Sequence, residues 1–167
     1  MSVSIPDLCE QLKPYVGRSE RTDLGIIRKE TFQRFAVAAD NLNPVFFEPE
    51  AARAAGYPDA VAPPLFLSAV RNWQSGPPQD SLRPDGTTSH EFAFLPLEGM
   101  RIMGGGQDLE FHAPLTDGAR VSMELRLEGV ELKQGRSGDL ILIKITQIYR
   151  DAAERPLVTC RETFIAR

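Results

Sequence analysis

Side chains able to do acid–base, nucleophilic or metal chemistry are few in this sequence, and their spacing excludes more than it offers. His90 and His112 are the two histidines, and neither stands at ligand spacing from a second His, Cys or carboxylate, so no metal site is expected. His112 precedes Ala113-Pro114 at the end of a strand pattern, where a surface or packing role is expected. Cys9 and Cys160 lie far apart and read as reduced thiols, with Cys160 inside an alternating stretch that buries it as a structural thiol. Gly104-Gly105-Gly106 lies within a strand pattern and has no Lys behind it, which makes it a bulge or tight bend rather than a phosphate loop. The informative stretch is the polar turn Asp40-Asn41-Leu42-Asn43-Pro44, which runs into Val45-Phe46-Phe47.

Two regions of different texture must position that turn. Residues 5–15 can form a short helix with Leu8 and Leu12 on one face, and residues 22–28 a first strand in which Leu24 and Ile26 alternate. Phe32, Phe35, Ala36 and Ala39 fall at i, i+3, i+4 and i+7, predicting a helix over 28–39. It must stop at the polar turn, because Asn and Asp favour turns and Pro44 pushes Asn43 out of helical geometry. Pro49 and Gly56 bracket a two-turn helix over 49–55. Pro64 opens a further helix, 64–73, that is apolar on nearly every side and therefore buried on every side; Trp73 at its end reads as core or interface.

Residues 74–88, rich in Pro and Gly, predict a surface loop. Strands are expected over 90–94, 101–114, 119–134, 139–151 and 155–166. Ile141, Ile143, Ile145 and Tyr149 share one period-2 face, and short connections favour antiparallel neighbours. The expectation is an α+β fold: one buried helix with an antiparallel sheet curled around it.

Composition narrows the function classes. The 167 residues suit a single domain spanning 1–167, with 42 % apolar and 25 % charged residues. Nineteen Lys and Arg against 23 Asp and Glu leave a net charge of −4 without long blocks of one sign, which argues against nucleic acid or an anionic membrane surface as partner. The longest apolar run, 60–70, is broken by Pro63 and Pro64 and falls short of the ~20 residues of a spanning helix; no signal peptide is evident, and the expected location is cytoplasmic.

The run from Phe35 to Pro64 (FAVAADNLNPVFFEPEAARAAGYPDAVAPP) resembles the MaoC-like hydratases and dehydratases, specifically their N-terminal, FAS1-like dehydratase type. The likeness continues through Gly105-Gly106-Gln107-Asp108-Leu109-Glu110-Phe111, Pro114-Leu115, Gly118 and Gly135-Arg136-Ser137-Gly138. It implies the hot-dog fold, a central helix wrapped by an antiparallel sheet, with two such folds pairing side by side. Active members of the family carry Gly-Asp-x-Asn-Pro-aliphatic-His. Their Asp and His hold a water between them for addition across a 2-enoyl thioester, and a backbone N–H at the buried helix's start polarises the carbonyl.

Aligned on Asn43-Pro44, this chain has Asp40 at the Gly, Asn41 at the Asp and Phe46 at the His. Neither Asn nor Phe transfers protons, so the resemblance implies hydro-lyase ancestry with no intact catalytic residue; Asp40, one position away, is the fallback. The implied ligand is an acyl-CoA or acyl-carrier thioester, with no other cofactor. Asn41, Asn43, Phe46, Phe47, Ala62, Pro63, Pro64 and Leu65 are the candidate pocket residues, the two Phe being equally open to a plain core role. Two functions compete: the non-catalytic, substrate-shaping half of a hydratase paired with a catalytic subunit, or a homodimer that binds acyl-CoA without hydrating it or works through other residues. Thioester hydrolysis is disfavoured, because residues 61–73 hold no carboxylate.

Overall fold

The structure is a computed structural model that describes residues 4–69, 79–82, 94–97, 99–136 and 138–167. Its elements in chain order are α1 (Ile5–Leu12), β1 (Ser19–Ile26), α2 (Lys29–Ala38), α3 (Pro49–Ala54), α4 (Phe66–Ala69), β2 (Ile102–Phe111), β3 (Arg120–Gly135), β4 (Gly138–Asp151) and β5 (Pro156–Ala166). The expected strand over 90–94 falls outside the described residues except for Phe94, as do Ser137, most of the 74–88 loop and the helix beyond Ala69, Trp73 included.

The strands form one five-stranded antiparallel sheet in the order β1-β3-β4-β5-β2. Two tight connections set its centre, since β3 turns into β4 around Gly135 and Gly138 and β4 into β5 across 152–155. The inner face of β4 is the one the periodicity identified: Ile141, Ile143, Ile145 and Tyr149 are all essentially inaccessible. On β3 the buried set is Val121, Met123, Leu125 and Leu127, after which a bulge between Leu127 and Gly129 shifts the phase so that Val130 packs against the core instead.

The helices lie against this face. Leu8, Cys9 and Leu12 of α1 are buried in the main core, as are Phe32 of α2 and Phe66 and Leu67 of α4. Phe66 takes edge contacts from Phe32 and Phe35, with ring centroids 6.0 and 5.7 Å away, so α2 and the start of the buried helix are locked together by aromatic packing. Both cysteines are buried, and neither is in a disulfide. Among the described residues no helix is long and apolar enough to cross a membrane.

Two local expectations change. The first strand starts three residues earlier than 22–28, and its alternation fails: Ile26 is 53 % exposed while Ile27 is buried. The cause is a bulge between Asp23 and Gly25, whose positive φ of 76° turns the chain by one extra residue. Ala39, placed on the apolar stripe of α2, is exposed, because the helix ends at Ala38. Gly104–Gly106 does hold a bulge in β2; a Cβ on Gly105 would stand 3.0 Å from the Thr163 carbonyl oxygen, and Gly106 has φ 139°.

Candidate functional site

The polar turn is built by backbone devices that its residue types explain. Helix α2 closes in a Schellman motif: the Asn41 N–H bonds the Ala36 carbonyl at 2.9 Å, the Asp40 N–H bonds that of Val37 at 3.0 Å, and Asp40 takes the left-handed conformation with φ 52°. Asn43 then caps a one-turn 3-10 helix, Pro44–Phe46, its side-chain oxygen accepting from the Val45 N–H at 3.2 Å. That turn points Phe46 inward, where it is 6 % exposed and packs with Ala36 and Val61. The Gln33 side chain donates to the Phe46 carbonyl at 3.1 Å and ties the turn back to α2.

Beside this turn lies a cavity of about 510 Å³, within the range that takes a drug-sized ligand. One wall comes from the turn and the chain after it: Asn43, Val45, Phe46, Tyr57 and the segment Val61-Ala62-Pro63-Pro64, with Leu67 of α4. The sheet supplies the rest, chiefly Phe111, His112 and Ala113 at and after the end of β2, and Val158 on β5. A bond from the Val61 N–H to the Val45 carbonyl at 3.1 Å holds the first wall, and the Ala62 N–H to the Leu115 carbonyl at 2.9 Å and a bridge between Val61 and Thr116 join it to the chain after β2.

Of the candidate residues, the structure therefore gathers Asn43, Phe46, Ala62, Pro63 and Pro64 around one cavity. Phe47 and Leu65 do not line it; Leu65 is 52 % exposed. Asn41 and Asp40 also stand outside the lining and are exposed, Asp40 committed to the helix-ending conformation. Among the described residues no three His, Cys, Asp or Glu side chains come together as a metal set.

Sequence reasoning passed over the other side of the cavity. Tyr57 and Phe111 line it while 40 % and 54 % exposed, which places two aromatic rings at its opening. His112, expected in a surface or packing role, is a lining residue whose side chain is 28 % exposed. Its Nε2 lies 2.9 Å from the hydroxyl of buried Thr159 and its Nδ1 3.9 Å from Glu110 Oε1, while Arg161 holds the other Glu110 oxygen at 3.3 Å. Residues from β2 and β5 thus form a polar chain, Arg161–Glu110–His112–Thr159, that ends at the cavity. The signal was the return of 112–116 beside 61–62, a long-range pairing that no local pattern encodes.

The sequence matches the family described as "FAS1-like, dehydratase domain region" over residues 15–160. The chain belongs to this family. It is 29 % identical over 154 residues to a UPF0336 protein of Streptomyces avermitilis, covering 92 % of this chain and 93 % of that one. In structure it is similar to a chain of the ChsH1-ChsH2 complex from Mycobacterium tuberculosis, with a TM-score of 0.72 and 19 % identity over 96 % of this chain and 89 % of the other. A chain of the HadBC (3R-hydroxyacyl-ACP dehydratase) complex of the same organism matches with a TM-score of 0.69 and 20 % identity over 90 % of this chain and 96 % of the other. The fold is therefore a hot-dog fold, α+β, of the MaoC-like dehydratase kind. Asn41 and Phe46 stand on this turn at the positions where the resemblance to the active members implies an Asp and a His. Asp40 at the family's Gly position explains that Gly: the site is the left-handed residue that ends α2.

Proposed function

We propose that this chain is the substrate-shaping, non-catalytic half of a hydratase or dehydratase acting on acyl thioesters. One observation carries the reading: a ligand-sized cavity is formed at the family's catalytic turn while Asn41 and Phe46 occupy the positions of its Asp and His. Phe46 packs with Ala36 and Val61, and its ring has no group that can transfer a proton. Mostly aliphatic and aromatic lining suits an acyl chain, and the open, aromatic mouth suits the carrier that must remain outside.

The ChsH1-ChsH2 and HadBC chains both come from two-component complexes, which supports a partner subunit carrying the intact Gly-Asp-x-Asn-Pro-x-His segment. The sheet's edge strands, β1 and β2, are the natural place for such a partner, because edge-to-edge pairing would continue the sheet and cover an exposed edge. Crotonyl-CoA hydration tests the reading, followed by loss of the enoyl-thioester absorbance. The purified chain alone should show no turnover, and activity should appear on adding a family member with the intact motif encoded beside it. Turnover by the chain alone that disappears in Asn41→Ala would overturn the non-catalytic assignment. Saturable thioester binding with no activity in any pairing would favour a binding protein instead.

A further inference from the structure

We propose that His112 is the polar anchor of the cavity, donating a hydrogen bond from its ring to the thioester carbonyl oxygen of a bound acyl chain. This rests on reading the cavity as an acyl-thioester site. A carbonyl brought into a largely apolar cavity loses its water partners and needs a donor there. The start of the buried helix is a poor source. The Ala62 N–H is already bonded to Leu115, Pro63 and Pro64 have no N–H, and Leu65 is not part of the lining. Among the side chains, Asn43 commits its oxygen to the cap on Val45 and keeps its amide N–H groups as donors, and Tyr57 stands at the exposed mouth. Of these donors His112 is the one whose ring has a neighbour at each nitrogen, Thr159 and Glu110, and is oriented by them.

The orientation comes from the polar chain between β2 and β5. A neutral imidazole has one N–H and one bare nitrogen. The Glu110 carboxylate lies on the Nδ1 side at 3.9 Å, too far for a hydrogen bond but close enough to favour a proton on that nitrogen. Nε2 then accepts from the Thr159 hydroxyl at 2.9 Å, and the Nδ1–H is left as a donor without a hydrogen-bond partner among the described residues. Arg161 keeps Glu110 engaged through its other oxygen, at 3.3 Å, so the carboxylate orients the ring without capturing it.

The test compares two probes on the purified chain by titration calorimetry: butyryl-CoA, and S-butyl-CoA, in which a methylene replaces the carbonyl. Wild type should bind butyryl-CoA roughly tenfold more tightly, the size of one hydrogen bond in an apolar site. In His112→Phe that preference should shrink to about twofold or less, while His112→Gln, which keeps an N–H, should recover part of it. The ratio is taken within each variant, so a general loosening of the fold weakens both probes alike and leaves the ratio readable. A His112→Phe protein that retains the full preference, or a wild type that has none, overturns this role and leaves the acyl-thioester reading standing. Binding of neither probe by wild type overturns both. If His112→Phe instead loses only a preference for 3-hydroxybutyryl-CoA over butyryl-CoA, the carbonyl assignment is overturned in favour of the hydroxyl.

Discussion

The two sides of the cavity were made by different means. On the turn side, 40–47, the backbone devices are all present: a Schellman motif, an Asn cap and a Pro that opens the next turn. The positions to which the resemblance gives an Asp and a His carry Asn41, which is exposed, and Phe46, which is packed. On the sheet side the backbone is strand up to Phe111 and over 158–161, and His112 follows directly after β2. There the side chains supply an imidazole in contact with a buried hydroxyl and near a carboxylate. The difference separates frame from chemistry. A loop can keep its shape after its reactive groups are gone, because the shape depends on capping residues and an apolar anchor.

The strongest way to break that comparison is to remove the anchor. Phe46→Ala would empty the small cluster with Ala36 and Val61 and should cost about 3–5 kcal/mol in urea denaturation, as for other buried Phe. A cost under about 1 kcal/mol would show that capping alone holds the turn. Restoring the family's residues is the next largest perturbation. Asn41→Asp with Phe46→His places a polar ring among apolar neighbours and should lower stability by about 1–3 kcal/mol without giving crotonyl-CoA hydration near that of an intact homologue. Full activity in that double variant would mean that the frame at this turn is enough to support the chemistry once the two side chains are returned.

Frame and chemistry also differ in how far the residues alone disclose them. Strands β3, β4 and β5 and helices α2 and α3 were legible to within a residue or two, because an amphipathic pattern repeats along each. β1 was misplaced because its residues are polar on both faces and Gly25 breaks the alternation. The turn side of the site was legible for a similar reason: Asn, Pro and Gly mark it locally. His112 was not, since its neighbours in space come from chain folded back more than forty residues away. Phe47 and Leu65, expected beside their sequence neighbours, do not line the cavity, and Leu65 is exposed.

Asp40 gives a smaller and opposite effect. Its positive φ is tolerated by Asp at some cost, and Gly, which the active family motif has there, bears none. Asp40→Gly should raise stability by about 0.5–1 kcal/mol and leave thioester binding unchanged, because the side chain lies outside the cavity lining. Weakened binding in a protein of raised stability would bring Asp40 back as a site residue and blur the line between frame and chemistry.

The smallest effect concerns the sheet away from the cavity. Four carboxyls there are held below their ordinary values. At Asp23 the Gly25 N–H and then Arg120 are the cause, at Glu131 Lys133 and Lys144, and at Glu154 Arg21. At Asp151 burial pushes upward, but the Arg155 and Ala153 N–H groups and the Arg155 guanidinium outweigh it. A carboxyl lowered in the folded state stabilises the protein above its unfolded value near pH 4, and that stability is lost as pH falls through the lowered folded value. The urea midpoint should therefore drop between about pH 5 and pH 3, and less steeply in high salt, because the pairs of Asp23, Glu131 and Glu154 are exposed. In Asp151→Asn, which removes the carboxyl that closes the β4–β5 turn, the drop should be shallower. An unchanged acid profile in that variant would move the acid sensitivity to the other carboxyls. Those of Asp23, Glu131 and Glu154 come first, since each is held below its ordinary value by hydrogen bonds from its own partners.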